Sequence, residues 1–320
     1  MVLAGILGLL ASAEACARKI VSACRNTQYT VIELPFTPSV IAPSGVVAGT
    51  TELHRAILWR RGSGVQELTV PDGFHYTEPV AILNSGDVVI NALDAEARTR
   101  RAFVYSNRSL MALVGNQTVA HGVGPSGTIV GEWVPDGKMT SDSVYWDHNQ
   151  PHSIGLCCGG TLKAANAAGD MIGDTYDDRG RYHAFVWSPS RGRRIMGPLD
   201  SYSSAVAIND AGRILLQVGS EVYVDEAGKL QRLGLSEKLY NSARAMNNCG
   251  FVVGGYGSDS DHYRAFLWTA TAGFQDLNSL IPRDSGWTLG AATAINDHGE
   301  IVGRGEINHD ERGFLLVPRR

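Results

Sequence analysis

The chain repeats itself about every 42 residues, and this period restricts its fold more than any other feature. Ala207-Ile208-Asn209-Asp210-Ala211-Gly212-Arg213-Ile214 returns as Ala294-Ile295-Asn296-Asp297-His298-Gly299-Glu300-Ile301 and, more loosely, as Ala245-Met246-Asn247-Asn248-Cys249-Gly250-Phe251-Val252. Weaker copies centre on Gly45, Gly86, Gly127 and Gly169, so seven turn glycines are spaced by 41, 41, 42, 43, 38 and 49 residues. A second apolar run follows most of them: Ala56-Ile57-Leu58-Trp59, Ala102-Phe103-Val104-Tyr105, Ala184-Phe185-Val186-Trp187, Ala265-Phe266-Leu267-Trp268 and Gly313-Phe314-Leu315-Leu316. Self-similarity at this length is the signature of a four-stranded propeller blade.

Within each repeat, four short β-prone runs, a to d, are separated by Gly, Asn, Asp, Ser or Pro, the pattern of antiparallel strands joined by tight turns. The Asn-Asp-x-Gly segment joins a to b, because Asn and Asp side chains bond nearby amides and glycine accepts positive φ. Asp210 and Asp297 are therefore read as turn residues rather than catalytic carboxylates. Ala205, Ala207, Ala243, Ala245, Ala292 and Ala294 alternate along strand a, where neighbouring blades crowd closest to the axis. The seventh repeat ends without a fourth strand, and an open sheet edge must be covered. Tyr29-Thr30-Val31-Ile32-Glu33-Leu34 alternates as a strand and precedes the first a strand, where a d strand belongs. The expected fold is all-β: one seven-bladed β-propeller of four-stranded antiparallel blades over 27–320, closed by this N-terminal strand completing the last blade.

The units Ala294 to Gly303, His183-Ala184-Phe185-Val186-Trp187 and Gln275-Asp276-Leu277, with the opening Tyr29 to Leu34, resemble the bacterial HAF-type extracellular repeat family. Repeats four, six and seven match best, whereas repeat three has Ser143-Val144-Tyr145-Trp146 and repeat five only Val222-Tyr223-Val224 in place of the signature. The resemblance implies an exported, propeller-like repeat protein and carries over no catalytic residues.

Residues 1–26 lie outside the repeat. Val2 to Leu10 is apolar and is followed by Ala11-Ser12-Ala13 and Ala13-Glu14-Ala15, which resemble signal-peptidase sites, although no Lys or Arg precedes the apolar stretch. A signal peptide, with extracellular or periplasmic localisation, stands against a packed helical segment or a trimmed start. The five cysteines give no disulfide framework, and adjacent Cys157 and Cys158 lack the spacing of a zinc site. With 28 basic against 32 acidic residues the net charge is −4, which argues against nucleic acid as a partner. No uninterrupted run of 18 apolar residues is present, so no membrane-spanning helix is expected. The acidic loops Asp174 to Asp178, Asp259 to Asp261 and Asp310-Glu311 match no calcium-loop pattern, and they are read as solvated surface. No cofactor or metal is expected, nor any oligomer.

Propellers gather their b–c and d–a connections on one face, where ligands usually meet the channel mouth. Tyr76, Tyr176, Tyr202, Tyr256 and Trp287 fall on this rim and offer flat surfaces with polar edges for a sugar ring or a protein. Packing between blades is the competing role for such aromatics. Superposing the seven a strands on their turn glycines yields one further register: Ser39, Val80, His121, Lys163, Val206, Arg244 and Thr293. His121, Lys163 and Arg244 form a candidate site for a carboxylate or phosphate, unless they extend into solvent or pair with acids such as Asp200 and Asp284. The leading expectation is a non-enzymatic exported propeller binding a carbohydrate or protein partner through its loop-rich face. The alternatives are a polysaccharide hydrolase or lyase working at the channel mouth with His121 as acid or base, and a structural cell-surface module.

Overall fold

The expected strands pair blade by blade in the computed structural model, which describes residues 28–319 apart from 95, 97, 108, 139, 158, 199, 235–239 and 259–262, and residue 157 by its backbone alone. Seven four-stranded antiparallel sheets succeed one another, each hydrogen-bonded in the order a-b-c-d. Blade one is Thr37–Ile41, Val47–Thr50, Ala56–Arg60 and Gly64–Glu67. Blade seven takes Trp287–Ile295, Ile301–Ile307 and Asp310–Pro318 from the carboxyl end, and Tyr29–Leu34 from the amino end. That clasp runs antiparallel from Tyr29 opposite Pro318 to Leu34 opposite Gly313, so the third strand of the last blade is covered and the blade gains the same outer strand as the other six.

Apolar side chains collect into seven clusters, one between each pair of adjacent blades. Each sheet is thus buried on both faces, which is why strands b and c read as continuous apolar runs rather than alternating ones. Gly173, Gly254 and Gly303 of strand b lie opposite Phe185, Phe266 and Phe314 of strand c. A Cβ on Gly303 would collide with the Ala291 carbonyl oxygen and the Phe314 ring. The glycine of Ile-Val-Gly and the phenylalanine of His-Ala-Phe are two halves of one packing unit, which explains why the motifs travel together.

Strand a departs from the simple alternation expected of it. In all seven blades its pairing with strand b slips by one residue at the same register position, a β-bulge at Ser39, Val80, His121, Lys163, Val206, Arg244 or Thr293, and blades two and seven carry a further slip nearer the start of the strand. The extra residue rotates the strand beyond it, so consecutive side chains turn to one side. Ala205 accordingly packs towards blade four, while Val206 and Ala207 both pack towards blade six.

The Asn-Asp turns also do more than shape their own loops. Asn209 donates to the Asn247 carbonyl (3.3 Å), Asn247 to Asn296 (3.0 Å) and Asn296 to Ala42 (3.1 Å), passing from blade to blade. The same Asn247 side chain accepts from the Cys249 and Phe251 amides of its own turn. Its neighbour position forms a second chain: the Asp210 amide donates to Asn248 (2.8 Å) and the Asn248 amide to Asp297 (2.8 Å). Asp210 and Asp297 are structural, as expected, but their bonds also cross to another blade. These turns surround a cavity of about 220 Å³ at their end of the central channel. Cys249, in the same ring of turns, is disulfide-bonded, a link the cysteine spacing does not reveal.

Two substitutions test this account by chemical denaturation. Gly303→Ala is expected to lower the unfolding free energy by about 2–3 kcal/mol through overpacking against backbone. Asn247→Ala removes one buried hydrogen bond across a seam and two within its own turn, and is expected to cost about 2 kcal/mol.

Candidate functional site

The opposite face carries the b–c and d–a connections, and the bulged residues stand on the channel wall beneath it. His121, in strand a of blade three (Gln117–Val123), is exposed, and its Nε2 lies 3.1 Å from Oε1 of Glu132 on strand b (Ile129–Val134). Glu132 also accepts from Thr161 of blade four (2.9 Å) and from Ser141 (3.1 Å). The hydrogen bond from His121 is the largest influence on this carboxyl and holds it below the usual carboxylate range, against the opposing effect of burial.

Lys163 occupies the same register one blade on, and its ammonium is paired with the fully buried carboxylate of Asp174. It also donates to Ser204 Oγ (2.8 Å) and the Ala205 carbonyl (3.1 Å) of blade five. Asp174 accepts in turn from the Ala205 amide (2.7 Å) and Ser204 Oγ (3.0 Å). Neither Asp200 nor Asp284 is its partner. Tyr182 stands beside the pair, and burial, followed by the Asp174 charge, pushes its phenol up. Arg244, the third basic side chain of the register, is exposed and makes no hydrogen bond or ion pair among the described residues. The three basic side chains therefore share a backbone position without sharing a partner: His121 and Lys163 are tied to carboxylates, and Arg244 is open.

The rim aromatics divide in two. Tyr76, Tyr176 and Tyr202 are 49%, 53% and 64% exposed. Trp287 instead sits edge-on against Phe314 (6.2 Å) in the seam between blades six and seven, and Tyr256 sits edge-on against Phe274 (4.8 Å). Burial and the nearby Asp276 raise the Tyr256 phenol. His183, first residue of the His-Ala-Phe unit, is buried with Nε2 3.2 Å from Asp177. Asp177 also accepts from the Arg179 and Arg181 amides, so this histidine anchors a b–c loop. Of the acidic loops, Asp174 belongs to the seam, Asp310 pairs with Arg312 (2.9 Å), and 259–261 lie outside the described residues. No group of three metal-ligating side chains occurs among the described residues.

Sequence reasoning missed Glu132, Asp174 and Asn91, which occupy one position of strand b in successive blades. Asn91 both donates to and accepts from the backbone of Ala120 in the next blade (2.8 and 2.9 Å). Their signal is visible in retrospect: a polar residue comes directly after the third apolar or glycine position of strand b, as in Ile90-Asn91, Gly131-Glu132 and Gly173-Asp174.

No family model matches the chain, and no curated protein matches it in sequence. Its fold is similar to that of virginiamycin B lyase from Staphylococcus aureus, with a TM-score of 0.59 and 11% identity over 91% of this chain and 99% of that one. A streptogramin B lyase gives a TM-score of 0.57 and 10% identity over 93% and 99% of the two chains. A prolyl endopeptidase gives 0.62 and 12% identity over 96% of this chain, which spans about half (53%) of that enzyme. At such identities the likeness is one of fold.

The Glu132 environment makes a direct prediction. In His121→Ala the lost hydrogen bond is expected to raise the Glu132 pKa towards the ordinary carboxylate range, read as a carboxyl carbon titration by NMR.

Proposed function

We propose that this protein is an exported, non-enzymatic propeller whose loop-rich face binds carbohydrate. The observation that carries the reading is the exposure of Tyr76, Tyr176 and Tyr202 on one face of a rigid frame. Aromatic rings held by a packed scaffold lose little freedom on contact, so stacking against the apolar face of a sugar is not cancelled by ordering. Membership of the HAF-type repeat family and an extracellular or periplasmic location belong to the same reading. The disulfide at Cys249 supports that location, because such bonds persist in oxidising compartments. Arg244 adds an open cation on the channel wall for an acidic substituent.

A second reading, a hydrolase or lyase acting on polysaccharide, is favoured by His121 and Glu132. The carboxylate accepts from one imidazole nitrogen and fixes the ring, the arrangement general acid–base chemistry uses. On this reading wild-type protein depolymerises a bound glycan and His121→Ala does not.

A glycan array tests the leading reading. Wild type is expected to retain at least one glycan without cleaving it, and Tyr176→Ala combined with Tyr202→Ala to reduce the bound signal about tenfold or more. Ser44→Ala, on the opposite face, is expected to leave it unchanged. Retention of a protein ligand and no glycan would replace carbohydrate with a protein partner.

A further inference from the structure

Blades one and two, with Val119 of blade three, line a pocket of about 390 Å³ on the loop-rich face. This lies within the ~300–1,000 Å³ range typical of small-molecule sites. Its walls join an aromatic pair to two unpaired charges. Tyr76 and His54 stand 5.8 Å apart with ring planes tilted by 52°. Glu78 and Arg100 also line the pocket, and both are exposed with no hydrogen bond or ion pair among the described residues. Ser39 and Thr50 contribute hydroxyls, and Leu93 and Val119 apolar surface.

The local backbone is built to hold these groups. The first strand of blade two, Phe74–Ile82, carries a second bulge between Phe74 and Tyr76 besides the one at Val80. A bulge re-aims the side chains beside it, and Tyr76 comes directly after this one. His54 has a φ of +54°, a left-handed conformation that non-glycine residues adopt rarely. It is held there by its amide donating to the Thr51 carbonyl (2.9 Å) and by its carbonyl accepting from the Thr77 amide (2.9 Å). Thr77 Oγ1 in turn accepts from the Ala56 amide (2.7 Å), which fastens the loop of blade one to the inner strand of blade two. The aromatic wall is thus fixed by backbone bonds across a seam.

We infer that this pocket is one sugar-binding subsite of the face and takes a single neutral pyranose unit. The inference rests on the carbohydrate reading above and deepens it. With Glu78 and Arg100 both on the wall, a ligand of either single charge meets one attractive and one repulsive group. A neutral polyol meets both, its hydroxyls donating to the Glu78 carboxylate and accepting from the Arg100 guanidinium. The carbon face of a pyranose then stacks on Tyr76, which supplies apolar contact and a polar edge together.

Saturation-transfer NMR on the full chain, with the methyl glycosides of glucose, galactose, mannose and N-acetylglucosamine as probes, tests the assignment. At least one glycoside is expected to show transfer to its ring protons, Tyr76→Ala to abolish it, and Glu78→Gln to weaken binding at least fivefold. Both variants are to be checked for an unchanged melting temperature, and if Tyr76→Ala fails to fold, Glu78→Gln and Arg100→Gln decide. Unaltered binding in these variants overturns the assignment, as does transfer to glycine or alanine, added as zwitterionic probes, without transfer to any glycoside. If glycoside binding survives Tyr76→Ala and is lost in Tyr202→Ala, the pocket is misassigned while the carbohydrate reading stands. If wild type binds no glycoside and no arrayed glycan, both fail.

Discussion

Closure of the ring is the constraint on which the remaining structure depends. Each sheet is apolar on both sides and is stable only between two neighbours, so seven blades in a row would leave two exposed faces and an open edge. Pairing of Tyr29–Leu34 with the Asp310–Pro318 strand covers that strand's edge, and blade seven packs against blade one. The contacts created by closure span nearly the whole sequence: Thr293 donates to the Pro38 carbonyl (3.1 Å) and Asn296 to that of Ala42 (3.1 Å). Leu34, Phe36, Val302 and Leu315 form the apolar core of that same seam.

Once the ring is closed, polar residues near the axis must find partners sideways, because strand a has another blade on each flank and a narrow channel in front. The bulge in each inner strand provides the means. It turns Lys163 to Asp174, Ser204 and Ala205, and it leaves His121 on Glu132, itself bonded to Thr161 of the next blade. Much of the charge near the channel therefore joins blades rather than awaiting a ligand. Groups still open on the loop-rich face include Tyr76, Tyr176, Tyr202, Glu78 and Arg100, together with Arg244. Recognition and stability use different residues of one face, which lets the rim vary without loosening the frame.

Several elements of the fold could be read directly from residues. The Asn-Asp-x-Gly turns, the missing fourth strand of repeat seven and the alternation of Tyr29 to Leu34 lead to the observed topology, because turn chemistry and strand pairing are local or edge-limited properties. The candidate site was only half legible. Aligning the repeats singled out Ser39, Val80, His121, Lys163, Val206, Arg244 and Thr293 as one register, and these are the bulged residues of all seven blades. Their partners were not legible, since Asp174 looked like the start of an acidic loop and Glu132 like an ordinary strand residue. Trp287 and Tyr76 look alike in sequence, yet one packs on Phe314 and the other faces a pocket.

The sequence by itself determined how many blades there are, where each turn falls and which segment closes the ring, because a repeat records its own period and the chain must satisfy the edge that the period leaves over. Only the tertiary structure decided which charges are paired and which rings are exposed. Those outcomes depend on a one-residue slip in pairing that reverses side-chain direction, and on neighbours about 42 residues away that no local pattern encodes.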